Sequence, residues 1–340
     1  MIQHSSRRKF LKNMVTVGGC LCAPSLLTRN SLFTGNLFAE EEVTSKPKVI
    51  QARDMKFINA LGKADERRIT PVINKAVMNI TNKQKPADAW STLFTKNDIV
   101  GIKVNCLAGK RFSPHVEIIE SLIKGVTSAG VHEQNIIVFE RFSKELDRAG
   151  FNIRKGKSGV KCYGTDELPY GGYDKQPQIA GNIGSCFSQI ISSYCTAIIN
   201  VPILKDHDLA GVSIGMKNFF GVIHNPNKYH DNNCNPYVAD LSNHPYIRDK
   251  LRLIVCDALK VQYNGGPAFK PQWSSNYGGL LISNDPVALD RIGAQIIEEK
   301  RKEVGLPSLK SAGREPTYIT TAAQLGLGID DPALIDTISI

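Results

Sequence analysis

The chain has 340 residues, of which 42% are hydrophobic and 22% charged, so it can bury one large core or two modest ones. Its formal net charge of +10 falls to +5 when residues 1–39, which hold five basic and no acidic residues, are set aside. No basic run with interleaved aromatic residues accompanies this mild excess, so nucleic-acid binding is disfavoured.

The N-terminus carries an export signature. Arg7 and Arg8 stand in the sequence Ser-Arg-Arg-Lys-Phe-Leu-Lys, which is typical of twin-arginine signal peptides. The weakly apolar run at 13–27 is too short and too polar to span a membrane permanently. We therefore expect the twin-arginine export machinery to deliver the chain to the periplasm or the exterior. The alternative interpretation is a basic amphipathic helix.

Ala39 offers a small-residue cleavage position, which would make residues 1–39 a removable signal peptide. Lipid attachment at Cys20 is the alternative, although the residues before it form a poor lipidation motif. The twin-arginine route carries folded proteins, which often hold a cofactor. The signal thus raises the expectation of a bound metal or organic cofactor without naming one.

The elements after the signal begin with an irregular lead-in at 40–66, followed by a single α/β domain at 67–340. Thr70 and Pro71 predict the start of the first helix, with threonine as N-cap and proline at the first helical position. A short second helix is predicted at 87–94.

A βαβ unit follows. The nearly continuous apolar run at 98–104 predicts a strand covered on both faces. A helix is predicted from Ser113 to Ala129, and the next strand at 136–139. This order predicts a parallel pair of strands joined by a right-handed crossover.

The remaining elements continue the alternation of strand and helix. Strands are predicted at 160–163, 196–201, 251–256 and 279–283, a long loop at 165–182, and helices at 186–195, 286–303 and 317–325. We therefore predict a doubly wound α/β fold with a mostly parallel sheet. The segment 205–250 is predicted to be an inserted subdomain.

The cysteines beyond residue 39 show no Cys-x-x-Cys spacing, so we expect neither an iron–sulfur cluster nor a zinc ribbon. They are Cys106, Cys162, Cys186, Cys195, Cys234 and Cys256. One disulfide would be compatible with a periplasmic location, and the sequence does not pair it.

Polar residues recur where the predicted strands end, and ligands of open α/β sheets bind at the carboxyl ends of strands. These residues are Lys103, Asn105, Glu140, Lys205, His207 and Asp257. Each has a structural alternative, such as a lysine snorkelling from a strand end or an aspartate capping a turn. Their repeated placement predicts one shared cleft.

Three lysines would make this cleft electropositive: Lys103, Lys205 and Lys217. Glycines at 211, 215 and 221 would let the backbone approach a ligand closely. This combination favours a small anion such as a carboxylate or a phosphate. The chain contains neither a P-loop motif nor a Gly-x-Gly-x-x-Gly dinucleotide fingerprint.

Three histidines, His207, His224 and His230, lie within one segment and have aspartates beside them. Three interpretations stay open: ligands for a divalent metal together with Asp257, general acid and base groups, or ordinary loop histidines. His115, near the start of a helix, is a further candidate to face the cleft.

Several motifs occur as a set. Ile-Lys-Val-Asn ends at Asn105, Val-Phe-Glu ends at Glu140, Pro-Ile-Leu-Lys-Asp-His ends at His207, and Gly-Met-Lys-Asn-Phe-Phe-Gly spans 215–221. Gly-Gly-Pro at 265–267, Asp-Pro-Val-Ala-Leu-Asp at 285–290 and Leu-Gly-Leu-Gly at 325–328 follow. With this set, the chain resembles the proteins that carry the domain of unknown function numbered 362, over about residues 98–330.

The resemblance implies which residues matter more than what they do, since the family has no agreed reaction. The implied set is Lys103, Asn105, Lys205, His207, Lys217, Asn218, His230, Asp257, Asp285 and Asp290. Many relatives carry ferredoxin-type cluster motifs, which this sequence lacks.

Two functional hypotheses follow. In the first, an exported enzyme acts on a small anionic substrate. Lys205, His207, His230 and Asp257 would be catalytic, or the last three metal ligands, while Lys103, Asn105, Lys217, Asn218 and Glu140 would bind substrate. In the second, the chain is a non-catalytic accessory protein that holds a metal or a cofactor.

Overall fold

The fold is known from a computed structural model that describes residues 46–59 and 61–340. The predicted signal peptide, with Arg7, Arg8, Cys20 and the cleavage position at Ala39, lies outside the described residues. The described residues belong to one compact unit.

A mixed sheet of ten strands forms the centre of the described chain, and a two-stranded hairpin lies apart from it. The strands are β1 (Lys48–Arg53), β2 (Val100–Val104), β3 (Ile136–Glu140), β4 (Lys161–Gly164), β5 (Gln178–Ala180), β6 (Ile183–Ser185), β7 (Ala197–Val201), β8 (Ile203–His207), β9 (Gly211–Ser213), β10 (Leu251–Gln262), β11 (Ser274–Ser283) and β12 (Asp336–Ser339).

Helices cover both faces of this sheet. They are α1 (Glu66–Thr81), α2 (Pro86–Leu93), α3 (Val116–Ser128), α4 (Ser143–Ala149), α5 (Gly215–Asn218), α6 (Tyr237–Ser242), α7 (Pro245–Arg248), α8 (Pro286–Glu303) and α9 (Tyr318–Gln324). None of the helices in the described ranges is both long and apolar enough to span a bilayer.

The strand order confirms the predicted fold class. The main path runs β12-β1-β11-β10-β7-β2-β3-β4, and the pairs from β10 to β4 are all parallel. β11 is the exception, because it runs antiparallel to both β1 and β10. The predicted βαβ unit is β2-α3-β3, and its strands are neighbours.

Alternation along the strands divides the core into two layers. In β2, Val100, Ile102 and Val104 pack with α1, α2 and α3 on one face. The opposite face, which carries Lys103, packs against the layer that contains α5, α6, α8 and α9. This division decides which strand-end side chains can meet.

The predicted start of the first helix is wrong. Helix α1 begins at Glu66, and the side chain of Asp65 accepts a hydrogen bond from the Arg67 amide as the N-cap. Pro71 lies inside the helix, so an aspartate six residues before the proline supplies the cap that was assigned to Thr70.

The predicted irregular lead-in is also wrong, because it contains β1. This strand lies between β11 and β12, the last strand of the chain, which the sequence did not indicate. Both are short strands whose stability comes from partners far away in sequence, so local patterns carry little signal for them.

Other predictions had mixed outcomes. The helix predicted at 186–195 is only a π-helical turn at Ile190–Tyr194. The helix predicted to begin at Pro286 is confirmed as α8, and Asp285 is its N-cap, accepting hydrogen bonds from the Val287 and Ala288 amides. The predicted insertion begins within β8, which joins the main sheet by pairing with β10.

Candidate functional site

A cavity of about 220 Å³ opens beside the carboxyl ends of β2 and β3, under the segment that contains α5. All of the predicted catalytic and substrate-binding residues except Asp257 line it. Its charged and polar lining comprises Lys103, Asn105, Glu140, Arg141, Glu145, Lys205, His207, Ser213, Lys217, Asn218, Asn227 and His230.

Lys103 and Glu140 form a buried ion pair at the base of this cavity. The Lys103 Nζ lies 2.7 Å from Glu140 Oε1 and also donates to the Val104 carbonyl at 2.6 Å. Glu140 accepts hydrogen bonds from the Cys106 and Arg141 amides at 3.0 and 2.8 Å. Because these groups satisfy one another, the pair is a fixed base for the site, and Lys103 adds little free positive charge.

A chain of amides connects the strands to α5. Asn105 Nδ2 donates to Asn218 Oδ1 at 3.2 Å, and Asn218 Nδ2 donates to Asn200 Oδ1 at 2.7 Å. Asn200 Nδ2 in turn donates to the Gly215 carbonyl at 2.7 Å. Each amide is thereby oriented, so α5 holds Asn218 and its neighbour Lys217 at a fixed place in the wall.

Asp290 fixes the start of α5 from behind. Its carboxylate accepts the Gly215 and Met216 amides at 2.7 and 3.1 Å, and burial raises its pKa to about 7. A Cβ at Gly215 would lie 2.8 Å from this carboxylate, and one at Gly221 would lie 2.8 Å from Glu140. The predicted close approach at these glycines is therefore made to buried side chains.

Lys205 and Lys217 are the buried lysines of the cavity that have no carboxylate partner among the described residues. Both are buried, and no carboxylate oxygen of the described residues lies within 4.0 Å of either Nζ. Burial lowers the pKa of each lysine to about 8, although the negative charge of Glu140 partly offsets this for Lys205. A bound anion would offset the free-energy cost of burying these charges, because it would pair with both amines.

His207 has a defined tautomer. Its Nδ1 accepts the Leu209 and Ala210 amides at 3.2 Å, so the proton of the neutral ring is on Nε2. Asp208 Oδ1 also lies 3.2 Å from Nδ1, but this nitrogen carries no proton to share. Burial, reinforced by the charge of Lys217, lowers the pKa of His207 to about 2, so the ring is a neutral donor in the wall.

His230 has the opposite tautomer. Its Nδ1 lies 3.0 Å from the Pro226 carbonyl and donates to it, which leaves the Nε2 lone pair to accept from Lys217 Nζ at 3.2 Å. The ring stacks on His207 with centroids 5.5 Å apart. Burial, together with the charge of Lys217, lowers the pKa of His230.

These tautomers do not suit the predicted metal ligands. The Nδ1 of His207 and both nitrogens of His230 are engaged with protein groups, and Asp257 lies elsewhere. Within residues 46–59 and 61–340, no cluster of three or more His, Cys, Asp or Glu side chains could hold a metal ion. The donor set of this cavity therefore does not fit the metal-assisted version of the prediction.

Asp257 and His115 are placed together, away from the cavity. Asp257 Oδ2 accepts hydrogen bonds from the His115 amide at 2.9 Å and from its Nδ1 at 2.7 Å. Burial alone would raise the pKa of Asp257, but the His115 charge and these hydrogen bonds outweigh it and lower the pKa. Neither residue reaches the cavity, because Asp257 shares a face of β10 with Val255 and Leu259, opposite to the face that the cavity uses.

Two charged lining residues, Arg141 and Glu145, were not predicted. Burial, followed by repulsion from Glu140, raises the pKa of Glu145 to about 7. Arg141 donates from Nη2 to the His224 carbonyl at 3.0 Å, while the side chain of His224 is outside the lining. An acidic residue on a short polar helix looks like ordinary surface, so no sequence signal distinguished Glu145.

No disulfide joins the cysteines of the described residues. All six in the part of the chain that the structure describes are free thiols.

Sequence comparison places this site in a family. The profile of a domain of unknown function, DUF362, matches residues 100–295, which is more than half of the chain. The chain belongs to the DUF362 family. The match contains every lysine and histidine that lines the cavity. No curated protein is significantly similar to the chain in sequence.

Two solved structures are distantly similar to this DUF362 protein. A protein from Thermotoga maritima has 12% identity and a TM-score of 0.43, over 70% of this chain and 59% of its own. The lactate racemase apoprotein from Thermoanaerobacterium thermosaccharolyticum has 13% identity and a TM-score of 0.43, over 74% and 57%. The chain thus covers less than two thirds of either protein.

Proposed function

We propose that this DUF362 protein is an enzyme that binds a small anionic substrate in the cavity and moves a proton to or from it. The observation that carries the proposal is the pair of buried lysines, Lys205 and Lys217, that have no carboxylate partner in the described chain. Burying such cations costs stability, and an anionic ligand would offset that cost.

The proton-transfer part rests on Glu145. Its pKa of about 7 lets it exchange a proton at neutral pH, and the pKa values of about 8 for both lysines are also within reach. In contrast, neutral His207 offers only an N–H to the substrate. The cavity therefore combines groups that orient an anion with one that can act as an acid or a base.

The test is solvent exchange. Small carboxylates that carry an acidic C–H are incubated with the protein in D₂O, and deuterium incorporation is followed by NMR. We expect Glu145→Gln to slow exchange by about 100-fold or more while anion binding persists, because the variant keeps both lysines. Glu299→Gln, at an exposed position of α8, is the control and should exchange normally. Equal rates for Glu145→Gln and wild type would refute the assignment.

The alternative function is a non-catalytic accessory protein that holds an anionic cofactor. It predicts anion binding with no exchange for any carboxylate in the panel. The near-neutral pKa of Glu145 favours the enzyme, because a simple carrier has no use for a titrating carboxyl group in its cavity.

We propose further that the chain is exported by the twin-arginine pathway, which the motif at Arg7 and Arg8 supports. Replacing both arginines with lysine should leave the full-length protein in the cytoplasm, whereas wild type reaches the periplasm or the exterior in shortened form. Fractionation followed by intact mass measurement reports both location and cleavage. Export of the double lysine variant at the wild-type level would exclude this route.

A further inference from the structure

The lysines of the cavity differ in what holds their amines. Lys103 faces a carboxylate at 2.7 Å. Lys205 faces two carbonyl oxygens, Asn105 Oδ1 and the Pro267 carbonyl, each at 3.4 Å. Lys217 Nζ instead meets the imidazole Nε2 of His230 at 3.2 Å.

The surroundings of Lys217 hold the amine loosely. Its Nζ lies 3.7 Å from the centroid of the Phe220 ring, and the Cys234 thiol beside it is kept neutral by a pKa that burial raises. The ring face favours the ammonium, yet neither group supplies a full negative charge. The amine can therefore give up a proton more readily than one in an ion pair.

His230 is oriented to take that proton. Because its Nδ1–H is held by the Pro226 carbonyl at 3.0 Å, its Nε2 lone pair is directed at the Lys217 amine. This arrangement of amine, oriented acceptor and apolar wall is the one that activates a lysine as a nucleophile.

We infer that Lys217 is a nucleophilic amine that forms a Schiff base with the carbonyl carbon of a small oxo acid. This inference rests on the proposed function, since the carboxylate of the oxo acid is the anion that Lys205 would hold. The cavity of about 220 Å³ limits the substrate to a few carbon atoms.

The covalent step is balanced without any other reactant. The Lys217 ammonium passes one proton to His230 Nε2, and the free amine attacks the carbonyl carbon to form a C–N bond. As the C=O π bond breaks, the oxygen takes the proton held by His230, and the attacking nitrogen gives a second proton to the carboxylate of Glu145, which lines the same cavity. Glu145 returns this proton to the hydroxyl group, the C–O bond breaks, and the oxygen leaves as water. The product is an imine between Nζ and the former carbonyl carbon, and its protonated form withdraws electrons from the neighbouring C–H.

The test uses pyruvate as the probe, with propionate as a partner of similar size that lacks the carbonyl. Full-length protein is incubated with each acid and sodium cyanoborohydride, and the adduct is found by intact mass and peptide mapping. We expect one reduced adduct per chain, on Lys217, with pyruvate alone. Mapping on wild type keeps the test valid even if a variant does not fold.

Variants separate the roles. Lys217→Arg should abolish the adduct, and Lys228→Arg, at an exposed lysine of the same segment, should retain it. His230→Phe should slow adduct formation by about tenfold or more, because the proton acceptor is lost. An adduct on Lys205, or none while calorimetry shows that pyruvate and propionate bind, would overturn the inference and leave the anion site standing. If neither acid nor any other small anion binds, the proposed function fails as well.

Discussion

Replacing Glu140 with glutamine is expected to lower the free energy of unfolding by about 3–5 kcal/mol, the range seen when one partner of a buried ion pair is removed. Lys103 is 0% exposed, so the substitution would leave its charge buried without a counter-ion. The amide would still accept hydrogen bonds from Cys106 and Arg141 in part, so the loss reports mainly the charge.

Urea unfolding monitored by circular dichroism measures this effect. The matched control is Glu303→Gln, which breaks the ion pair with Lys300 at the end of α8 and should change stability little. The double variant Lys103→Met/Glu140→Gln should recover most of the loss, because no charge then stays buried and the amide oxygen can still accept from the backbone. A Glu140→Gln protein as stable as wild type would show that Lys103 and Glu140 do not form the buried ion pair described.

Replacing Lys205 with methionine should have the opposite effect and stabilise the protein at pH 7 by about 3 kcal/mol. The lysine pKa falls from 10.5 to about 8 because of burial, and each unit corresponds to about 1.4 kcal/mol. Methionine fills a similar volume without charge, so it removes the cost of burying the ammonium. Functional sites typically keep residues that lower the stability of the fold in this way.

The stability cost of the buried Lys205 ammonium depends on pH. The unfolded lysine holds its proton up to about 10.5, whereas the folded one releases it above about 8, so the unfolded state binds more protons between these values. The stability of wild type should therefore rise with pH across this window, and the variant should lack this component of the rise. If Lys205→Met is less stable than wild type at pH 7, the amine contributes favourable contacts that the structure does not show.

The sequence placed part of the site correctly because of a simple geometric rule. Lys103, Asn105 and Glu140 end neighbouring parallel strands, and the carboxyl ends of such strands share one edge of the sheet. The prediction needed only the order of strand, helix and strand, which the apolar runs at 98–104 and 136–139 supply.

Asp257 shows where this rule stops. Strand β10 continues to Gln262, so Asp257 lies inside the strand and not at its end, and its side chain points to the layer of α3 and pairs with His115. The alternation of side chains along a strand can be read from the sequence. Which of the two alternating sets of side chains faces which helical layer depends on the twist and bulges of the folded sheet. Strand β10 has such irregularities against β7, β8 and β11, so the layer that the Asp257 side chain faces could not be deduced from the sequence.

Glu145 and β12 were missed for different reasons. Glu145 gains its character from burial beside Glu140, which is a property of the folded cavity and not of any motif. β12 is formed from four residues that pair with β1 from the other end of the domain, and short strands of this kind depend on non-local contacts.

The central claim is that Lys205 and Lys217 bind a small anion, and calorimetric titration tests it most directly. Wild type and the double variant Lys205→Met/Lys217→Met are titrated with small carboxylates and inorganic phosphate at pH 7 and pH 9. We predict saturable binding to wild type that weakens at pH 9, since both amines titrate near 8, and that the variant loses. Binding that is equal in wild type and variant, or absent for every anion, would contradict the claim.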